Sequence, residues 1–200
     1  RFHLYQTKRN IESNTFIASC YITDVTKYLV NEEELYEKTH KDELTGLFNR
    51  YTLYYHFELH GSRAPMAGFY FDIDDFKMYN DTYGHDVGDE VLVQFSKQLL
   101  ASTEENFNAY RLGGDEFFCL VLDSNVDKVK EYVERIRKSI QSIAIPKVND
   151  KLTLSIGVVL TNDEITHKRE AFVKEADRLM YVSKKNGKNT VTYGNFVVFS

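Results

Sequence analysis

The sequence feature that most constrains the fold is a pair of apolar, β-rich runs separated by three residues. The runs span residues 107–112 and 116–122, and Gly113-Gly114-Asp115 lies between them. Because glycine adopts positive φ angles without steric cost, these three residues predict a tight turn. The two runs are therefore expected to pair as an antiparallel hairpin.

Around this hairpin, from residue 42 onward, strand-like and helix-like segments alternate. Val87, Val91, Phe95 and Leu99 recur at the helical spacing and mark one amphipathic helix. The whole pattern predicts an α/β (α+β) domain over residues 42–200. Helices are predicted over residues 49–60, 86–102, 125–142 and 168–185, and further strands over 66–72, 152–160 and 190–199.

The first 41 residues read differently from the rest. Residues 1–27 contain two β runs around a polar turn and predict a hairpin, which is marginal in water without a partner. Residues 28–41 are polar and predict a connector helix, whose few apolar positions include Leu29, Leu35 and Tyr36. This seam is too short for a stable coiled coil, so the isolated chain is expected to dimerise only weakly.

Composition and charge disfavour several kinds of partner. The formal net charge of −5 argues against general attraction to nucleic acid. No apolar stretch approaches the ~20 residues of a bilayer span, and no signal segment opens the chain, so we expect neither membrane contact nor secretion. Cys20 and Cys119 are expected to be buried thiols in a reducing cytoplasm, with a single disulfide as the alternative.

Acidic residues cluster at two predicted strand ends. Asp72 ends the predicted 66–72 strand, Asp74 and Asp75 follow it, and Asp115 and Glu116 lie at the hairpin tip. Carboxylates on neighbouring strands can share Mg²⁺ together with substrate phosphates, which can approach a glycine-rich backbone closely. The alternative is a pair of polar turns with solvated acids.

Five collinear motifs decide between these alternatives. Over residues 42–193 the chain resembles the GGDEF domain, the catalytic domain of diguanylate cyclases, with the signature intact at residues 113–117. Five ordered motifs are far more specific than a single short one. They occupy residues 42–50, 72–89, 113–117, 155–158 and 176–189.

The resemblance implies a fold and a reaction. The fold is that of nucleotidyl cyclases and polymerase palms, with a central, mostly antiparallel sheet flanked by helices. Two GTP molecules would condense to cyclic di-GMP and two pyrophosphates, each 3′-hydroxyl attacking the other nucleotide's α-phosphate. Reciprocal attack requires a second GGDEF domain in a two-fold homodimer. The implied cofactor is Mg²⁺ or Mn²⁺, two ions per active site.

The resemblance also assigns roles to residues. The implied metal ligands are Asp72, the Ile73 carbonyl, Asp115 and Glu116. The catalytic residues would be Asp115, as proton acceptor, Glu116 and Lys77. Phosphates would meet Lys77, Lys184, Lys188 and the amides near Phe76, although the last two lysines could instead complement a helix dipole.

Guanine selection is implied for Asn80 and Asp89. A carboxylate can accept from both N1–H and N2–H of guanine, whereas adenine would leave it unpaired, at a cost of roughly 1–3 kcal/mol. His85 lies between them in the sequence, and it either contacts the nucleotide or caps a helix starting at Asp86.

Two departures from a plain cyclase domain bear on regulation. Many family members carry an inhibitory product site, Arg-x-x-Asp, where this chain has Glu104 and Phe107, so that site is predicted to be absent. Residues 16–26 resemble the last strand of a PAS sensor domain and its exit, which implies a sensor-regulated cyclase. The alternative for this segment is a stray hairpin.

Three functions follow from these observations. The first is an active, sensor-regulated diguanylate cyclase in bacterial second-messenger signalling. The second is a catalytically silent GGDEF module that binds GTP or cyclic di-GMP as a sensor or scaffold. The third, a cyclase making adenine-containing dinucleotides, is disfavoured by Asp89. Retention of Asp72, Asp115, Glu116 and Lys77 favours the active cyclase.

Overall fold

A computed structural model describes residues 2–10, 15–22, 35–102, 106–122, 125–145 and 151–197. The chain divides into two compact units, residues 1–39 and residues 40–200. In the first unit β1 (Phe2–Asn10) and β2 (Thr15–Ile22) pair antiparallel, and residues 35–39 are helical. Residues 23–34, with most of the predicted connector helix, lie outside the described residues.

The second unit contains every helix and strand predicted for it, and most ends differ by only one or two residues. Asn49 caps α1 and Asn125 caps α4, each accepting a hydrogen bond from a first-turn backbone amide. The elements are β3 (Phe48–Asn49), α1 (Arg50–His60), β4 (Met66–Ile73), α2 (Phe76–Tyr83), α3 (His85–Ala101), β5 (Phe107–Gly113), β6 (Glu116–Leu122), α4 (Val126–Gln141), β7 (Leu154–Thr161), α5 (Arg169–Lys185) and β8 (Val191–Asn195).

Two of these elements were not predicted. The short helix α2 buries only Tyr79, so it leaves almost no periodic apolar signal. It lies between Asp75 and Gly84, whose φ angles of 58° and 88° separate it from β4 and from α3. The strand β3 has two residues and pairs parallel with β5, too short a stretch for any sequence pattern.

The second unit is organised around a six-stranded sheet in the order β3-β5-β6-β4-β7-β8. The pairs β5–β6, β6–β4 and β4–β7 are antiparallel, and the two outer pairs are parallel. The prediction of a central, mostly antiparallel sheet is therefore confirmed. All eight residues of β4 are buried, because both of its edges are paired and both of its faces are covered.

Helices cover the two faces of the sheet with separate apolar cores. Phe69 and Phe71 of β4 belong to the core under α3 and α4. Met66 and Tyr70 belong to the core under α1 and α5. Since side chains alternate along a strand, Asp72 extends from the same face as Tyr70, towards α5.

The helix α5 lies unusually close to the sheet at Gly157 of β7. A Cβ atom there would stand 2.1 Å from the Ala176 carbonyl oxygen and 2.2 Å from the Met180 nitrogen. Only glycine permits this approach. It brings the end of α5, with its lysines, over the ends of β4 and β7.

Two predictions from composition are partly answered by the described residues. Cys119 is a free, fully buried thiol whose pKa is raised by that burial. The Cys20 side chain lies outside the described ones. No helix among the described residues is long and apolar enough to cross a bilayer.

Candidate active site

A buried carboxylate at the end of β4 forms the centre of the candidate site. Asp72 is only 6% exposed. Its Oδ2 lies 2.6 Å from Nζ of Lys184, in the last turn of α5, while its buried Oδ1 has no hydrogen-bond partner among the described residues. Burial raises the pKa of Asp72 to about 6, with Lys184 opposing and Asp115 and Asp74 adding to the increase. Such an oxygen is well suited to accept a cation.

The hairpin tip brings two more acids to the same edge of the sheet. Glu116 pairs with Asp72 across β6 and β4, so the two side chains share one face. Asp115 precedes it in the turn, and its negative charge contributes to the raised pKa of Asp72. Nη2 of Arg50, at the start of α1, lies 3.8 Å from Oε2 of Glu116. The structure thus brings Asp72, Asp115 and Glu116 together, as the sequence implied.

Arg111 organises the hairpin tip, a role that the sequence did not reveal. Its Nε and Nη2 donate to the Gly114 carbonyl oxygen at 3.0 and 2.9 Å. Its Nη1 lies 2.9 Å from Oδ1 of Asp42, which also accepts hydrogen bonds from the backbone and hydroxyl of Thr45. Burial alone would raise the pKa of Asp42, but the bonds from Thr45 and Arg111 outweigh it and lower that pKa.

Asp74 is a second organising residue, and its role was also missed. It is 4% exposed, and its Oδ1 accepts a hydrogen bond from Oγ of Ser155 at 2.6 Å. Its Oδ2 accepts from Oγ1 of Thr153 at 2.7 Å and from the backbone N–H of Asn189 at 2.9 Å. The carboxylate therefore joins the end of β4 to β7 and to the loop after α5. The available signal was the run of aspartates at 72–75, which does not reveal these partners.

The loop after α5 has an unusual backbone. Gly187, Lys188 and Asn189 have φ angles of 104°, 62° and 44°, three consecutive residues in the left-handed region. For a residue other than glycine this conformation costs roughly 1–2 kcal/mol. Two contacts join this loop to the β4–α2 turn, a hydrogen bond from the Asn189 N–H to Asp74 and a 2.6 Å ion pair between Nζ of Lys188 and Oδ1 of Asp75.

Two of the three predicted phosphate-binding lysines, Lys184 and Lys188, lie beside the acidic cluster. Lys184 is in the last turn of α5, where it also complements the helix dipole, and Lys188 follows the end of that helix. The hydrogen bond from Lys188 to Asp75 raises the pKa of the lysine. Lys77 is exposed in the first turn of α2, which Phe76 begins.

The predicted guanine contacts form a separate group on α2 and α3. Asn80 packs against the backbone of Gly88, where a Cβ atom would stand 1.9 Å from the Asn80 Oδ1. Asp89 follows Gly88 and is exposed, as is His85. The helix α3 begins at His85, with Gly84 at the N-cap. The alternative that His85 caps a helix starting at Asp86 is therefore wrong.

Comparison with protein families identifies this arrangement. The family described as "Diguanylate cyclase, GGDEF domain" matches residues 39–190. The chain belongs to the GGDEF domain family. The resemblance inferred from the five motifs is thereby confirmed.

Curated relatives of this GGDEF domain include named cyclases. The chain is 33% identical to the probable diguanylate cyclase DgcT of Escherichia coli K12, over 80% of the chain and 37% of that protein. It is 31% identical to a diguanylate cyclase of Vibrio cholerae, over 84% of the chain and 53% of that protein. The signalling protein YkoW of Bacillus subtilis is 32% identical over 99% of the chain and 26% of its own length. The chain thus spans between about a quarter and a half of these relatives.

Solved structures agree with the GGDEF fold. Diguanylate cyclase SiaD of Pseudomonas aeruginosa, solved with its activator SiaC, has a TM-score of 0.73 at 28% identity, covering 84% of this chain and 67% of that one. The coiled coil and GGDEF domain of Caulobacter crescentus DgcB, solved with c-di-GMP, also has a TM-score of 0.73, at 25% identity, covering 85% and 93%.

The residues of this GGDEF domain fit a divalent cation that binds together with substrate. Among the described residues no group of three or more His, Cys, Asp or Glu is arranged to hold a metal ion. Mg²⁺ often needs only one or two carboxylates when phosphates and water complete its shell. Asp72 offers an unpaired buried oxygen for this purpose. Ile73 follows Asp72 in the chain, and Asp115 precedes Glu116, which pairs with Asp72 across β6 and β4.

The region of the inhibitory product site is only partly described. Phe107 is buried in the core, with its ring 5.5 Å from that of Tyr132. An apolar side chain in that position cannot replace the missing aspartate. Glu104 lies outside the described residues, so the absence of this product site stays a prediction from sequence.

Proposed function

We propose that this chain is the catalytic domain of a diguanylate cyclase that condenses two GTP into cyclic di-GMP and releases two pyrophosphates. The observation that carries the proposal is the buried Asp72, with one oxygen unpaired and the other on Lys184, beside the acids of the GGDEF tip. The named cyclases among its relatives support the proposal.

The metal-binding groups would be Asp72, the Ile73 carbonyl, Asp115 and Glu116. Two Mg²⁺ or Mn²⁺ ions bound there would lower the pKa of the attacking 3′-hydroxyl and neutralise phosphate charge. Asp115 is half-exposed at the turn and would accept the proton of that hydroxyl, with Glu116 beside it.

The lysines would exchange carboxylate partners for phosphate. Lys184 and Lys188 each hold a carboxylate at 2.6 Å, so their charges already lie where a triphosphate would reach Asp72. Lys77, exposed at the start of α2, would stabilise charge in the transition state, with the amides near Phe76 as further donors.

Recognition of the guanine base and pairing with a second subunit are the remaining parts of the proposal. Asn80 and Asp89 would read guanine, and His85 is exposed at the start of the same helix as Asp89. A second GGDEF domain, related by two-fold symmetry, would supply the other nucleotide. A cytoplasmic location, sensor control through residues 1–41 and weak self-association stay predictions.

The catalytically silent alternative gains no support. Silent versions of such a domain are expected to lose metal ligands or signature acids, and Asp72, Asp115, Glu116 and Lys77 are all present. Asp72 moreover keeps a buried oxygen without a partner, which costs stability and has no purpose in a purely structural strand end.

The proposal is tested by incubating the chain with GTP and Mg²⁺ and assaying cyclic di-GMP. We expect product with GTP, none with ATP alone and none after chelation of the metal. Specific activity should rise with enzyme concentration, since two domains must meet. Binding of GTP without any product, at all protein concentrations and with either metal, would favour the silent module instead.

A further inference from the structure

One buried carboxylate fastens the loop that carries Lys188. Asp74 receives the backbone N–H of Asn189 on Oδ2, which it shares with the hydroxyl of Thr153. Its other oxygen is occupied by Ser155. All these partners come from outside the β4–α2 turn, so Asp74 serves as a fixed point between three segments of the chain.

The loop needs such a fixed point because its local conformation is unfavourable. Lys188 and Asn189 both have positive φ angles although neither is glycine. Outside contacts must therefore hold them, since the isolated segment would prefer another conformation. The Asn189 carbonyl, which accepts from Nη2 of Arg137 at 3.1 Å, provides a second contact.

The visible ion pair of Lys188 cannot hold the loop during substrate binding. The Lys188 and Asp75 side chains are 43% and 56% exposed, and exposed ion pairs contribute little. Under the proposed function this pair also opens, because Lys188 turns to phosphate. The hydrogen bond from the Asn189 N–H to the buried Asp74 carboxylate involves no group that substrate would displace.

We infer that Asp74 is a positioning residue, which fixes the 186–190 loop so that Lys188 is presented to the triphosphate of GTP. This inference rests on the proposed function. Asp74 itself touches no substrate in this assignment, because both of its oxygens are occupied by protein donors. Its effect passes through the Asn189 amide to the adjacent lysine.

The test is a double-mutant cycle between Asp74 and Lys188, read as affinity for a non-hydrolysable GTP analogue with Mg²⁺. In the wild-type background, Lys188→Ala should weaken binding about tenfold, the effect of losing one charge-assisted contact. Asp74→Ala should weaken binding by a similar factor. In the Asp74→Ala background, Lys188→Ala should then change affinity less than about twofold, because the lysine is already misplaced.

Two variants separate positioning from general stability. Asp74→Asn should restore most of the affinity, since its amide oxygen can accept from Asn189 and Thr153 while its NH₂ donates to Ser155. Ser155→Ala removes a bond to the other oxygen only, so it should lower Tm without changing affinity for the analogue. Amide exchange at Asn189 should accelerate in Asp74→Ala and remain slow in Ser155→Ala.

Each outcome distinguishes the two proposals. Additive losses from Asp74→Ala and Lys188→Ala, or unchanged affinity in Asp74→Ala, would overturn the inference and leave the cyclase assignment standing. Wild-type protein that binds no GTP analogue would overturn both. If Asp74→Ala does not fold, Asp74→Ser replaces it in the cycle, because serine keeps a polar group there but is too short to reach Asn189.

Discussion

The two acidic strand ends of the candidate site are held in different ways. At the end of β4, Asp72 and Asp74 are buried, and their bonds reach α5, β7 and the loop after α5. At the hairpin tip, Asp115 and Glu116 are half-exposed, and the turn depends mainly on Arg111. One side is fixed by buried tertiary contacts. The other is a turn held by the side chains of Arg111, on the Gly114 carbonyl, and Arg50, on the Leu112 carbonyl. The end of β4 is therefore the more firmly held part of the site, and the acidic hairpin tip has more freedom to adjust to substrate.

This contrast predicts the largest effect at the tip. Asp115→Ala should lower kcat at least about a hundredfold, because it removes a proposed proton acceptor and metal ligand. It should change the free energy of unfolding by no more than about 0.5 kcal/mol, since no core contact is lost. Turnover and urea unfolding measure the two effects.

Glu131→Ala, on the exposed face of α4, is the matched control and should leave both quantities unchanged. Near-normal turnover in Asp115→Ala would remove the tip from the catalytic site. A large loss of stability would show that the tip is as firmly built into the fold as the end of β4.

The second prediction concerns the anchor of the tip. Arg111→Ala removes two hydrogen bonds to the Gly114 carbonyl and the ion pair with Asp42. We expect kcat to fall roughly tenfold or more while KM for GTP changes less, since misplacing the tip affects chemistry more than binding. Arg50→Ala removes one hydrogen bond to the Leu112 carbonyl and a longer, exposed ion pair with Glu116, so it should change kcat by less than about threefold. Equal effects of the two substitutions would contradict the description of Arg111 as the main anchor of the tip.

The third prediction concerns Asp89 on α3, which follows β4 and α2 in the chain. Asp89→Ser should lower the ratio of kcat/KM for GTP to that for ATP by about tenfold, because the carboxylate proposed to pair with guanine is lost. Overall folding should be unaffected, as Asp89 is exposed. Competition assays with both nucleotides measure the ratio. A uniform slowdown with an unchanged ratio would place Asp89 outside the base-binding site.

The smallest prediction concerns pH and the strand that leads to the tip. Nδ1 of His56 lies 2.7 Å from the hydroxyl of Tyr110 on β5, and burial, His60 and His40 together lower the pKa of His56 below 6.5. The unfolded chain therefore binds this proton more readily, so stability falls as the pH drops below 6.5 and levels off below the folded-state pKa.

His56→Gln removes the titration but keeps a polar partner for Tyr110. Between about pH 7.5 and about pH 5.5 the Tm of the wild type should fall by roughly 2 °C more than that of the variant. An equal change of Tm with pH in the two proteins would show that protonation of His56 does not affect the stability of the domain.

Much of this domain follows from local sequence. The amphipathic spacing of α3 and the Gly113-Gly114 turn both correspond to elements in the structure, since periodicity and turn chemistry act over a few residues. The short helix α2 was not predicted, because it buries one residue and is bounded by two residues with positive φ angles. The motifs also predicted that Asp72 and Asp115 lie at one site, since the strands that carry them were recognised.

The division of roles among the aspartates was decided only by the tertiary structure. From the sequence, Asp72 and Asp74 are two similar acids after one strand. Asp74 finds Thr153 and Ser155, 79 and 81 positions away, and Asn189, 115 positions away. Arg111 likewise finds Asp42 across 69 positions. These partners are set by the register of β4 on β7 and by the close approach of α5 at Gly157, and no local pattern encodes either one. The sequence by itself determined which chemical groups are present and which elements carry them, and the packing of those elements decided which acid holds the loop and which keeps an oxygen free.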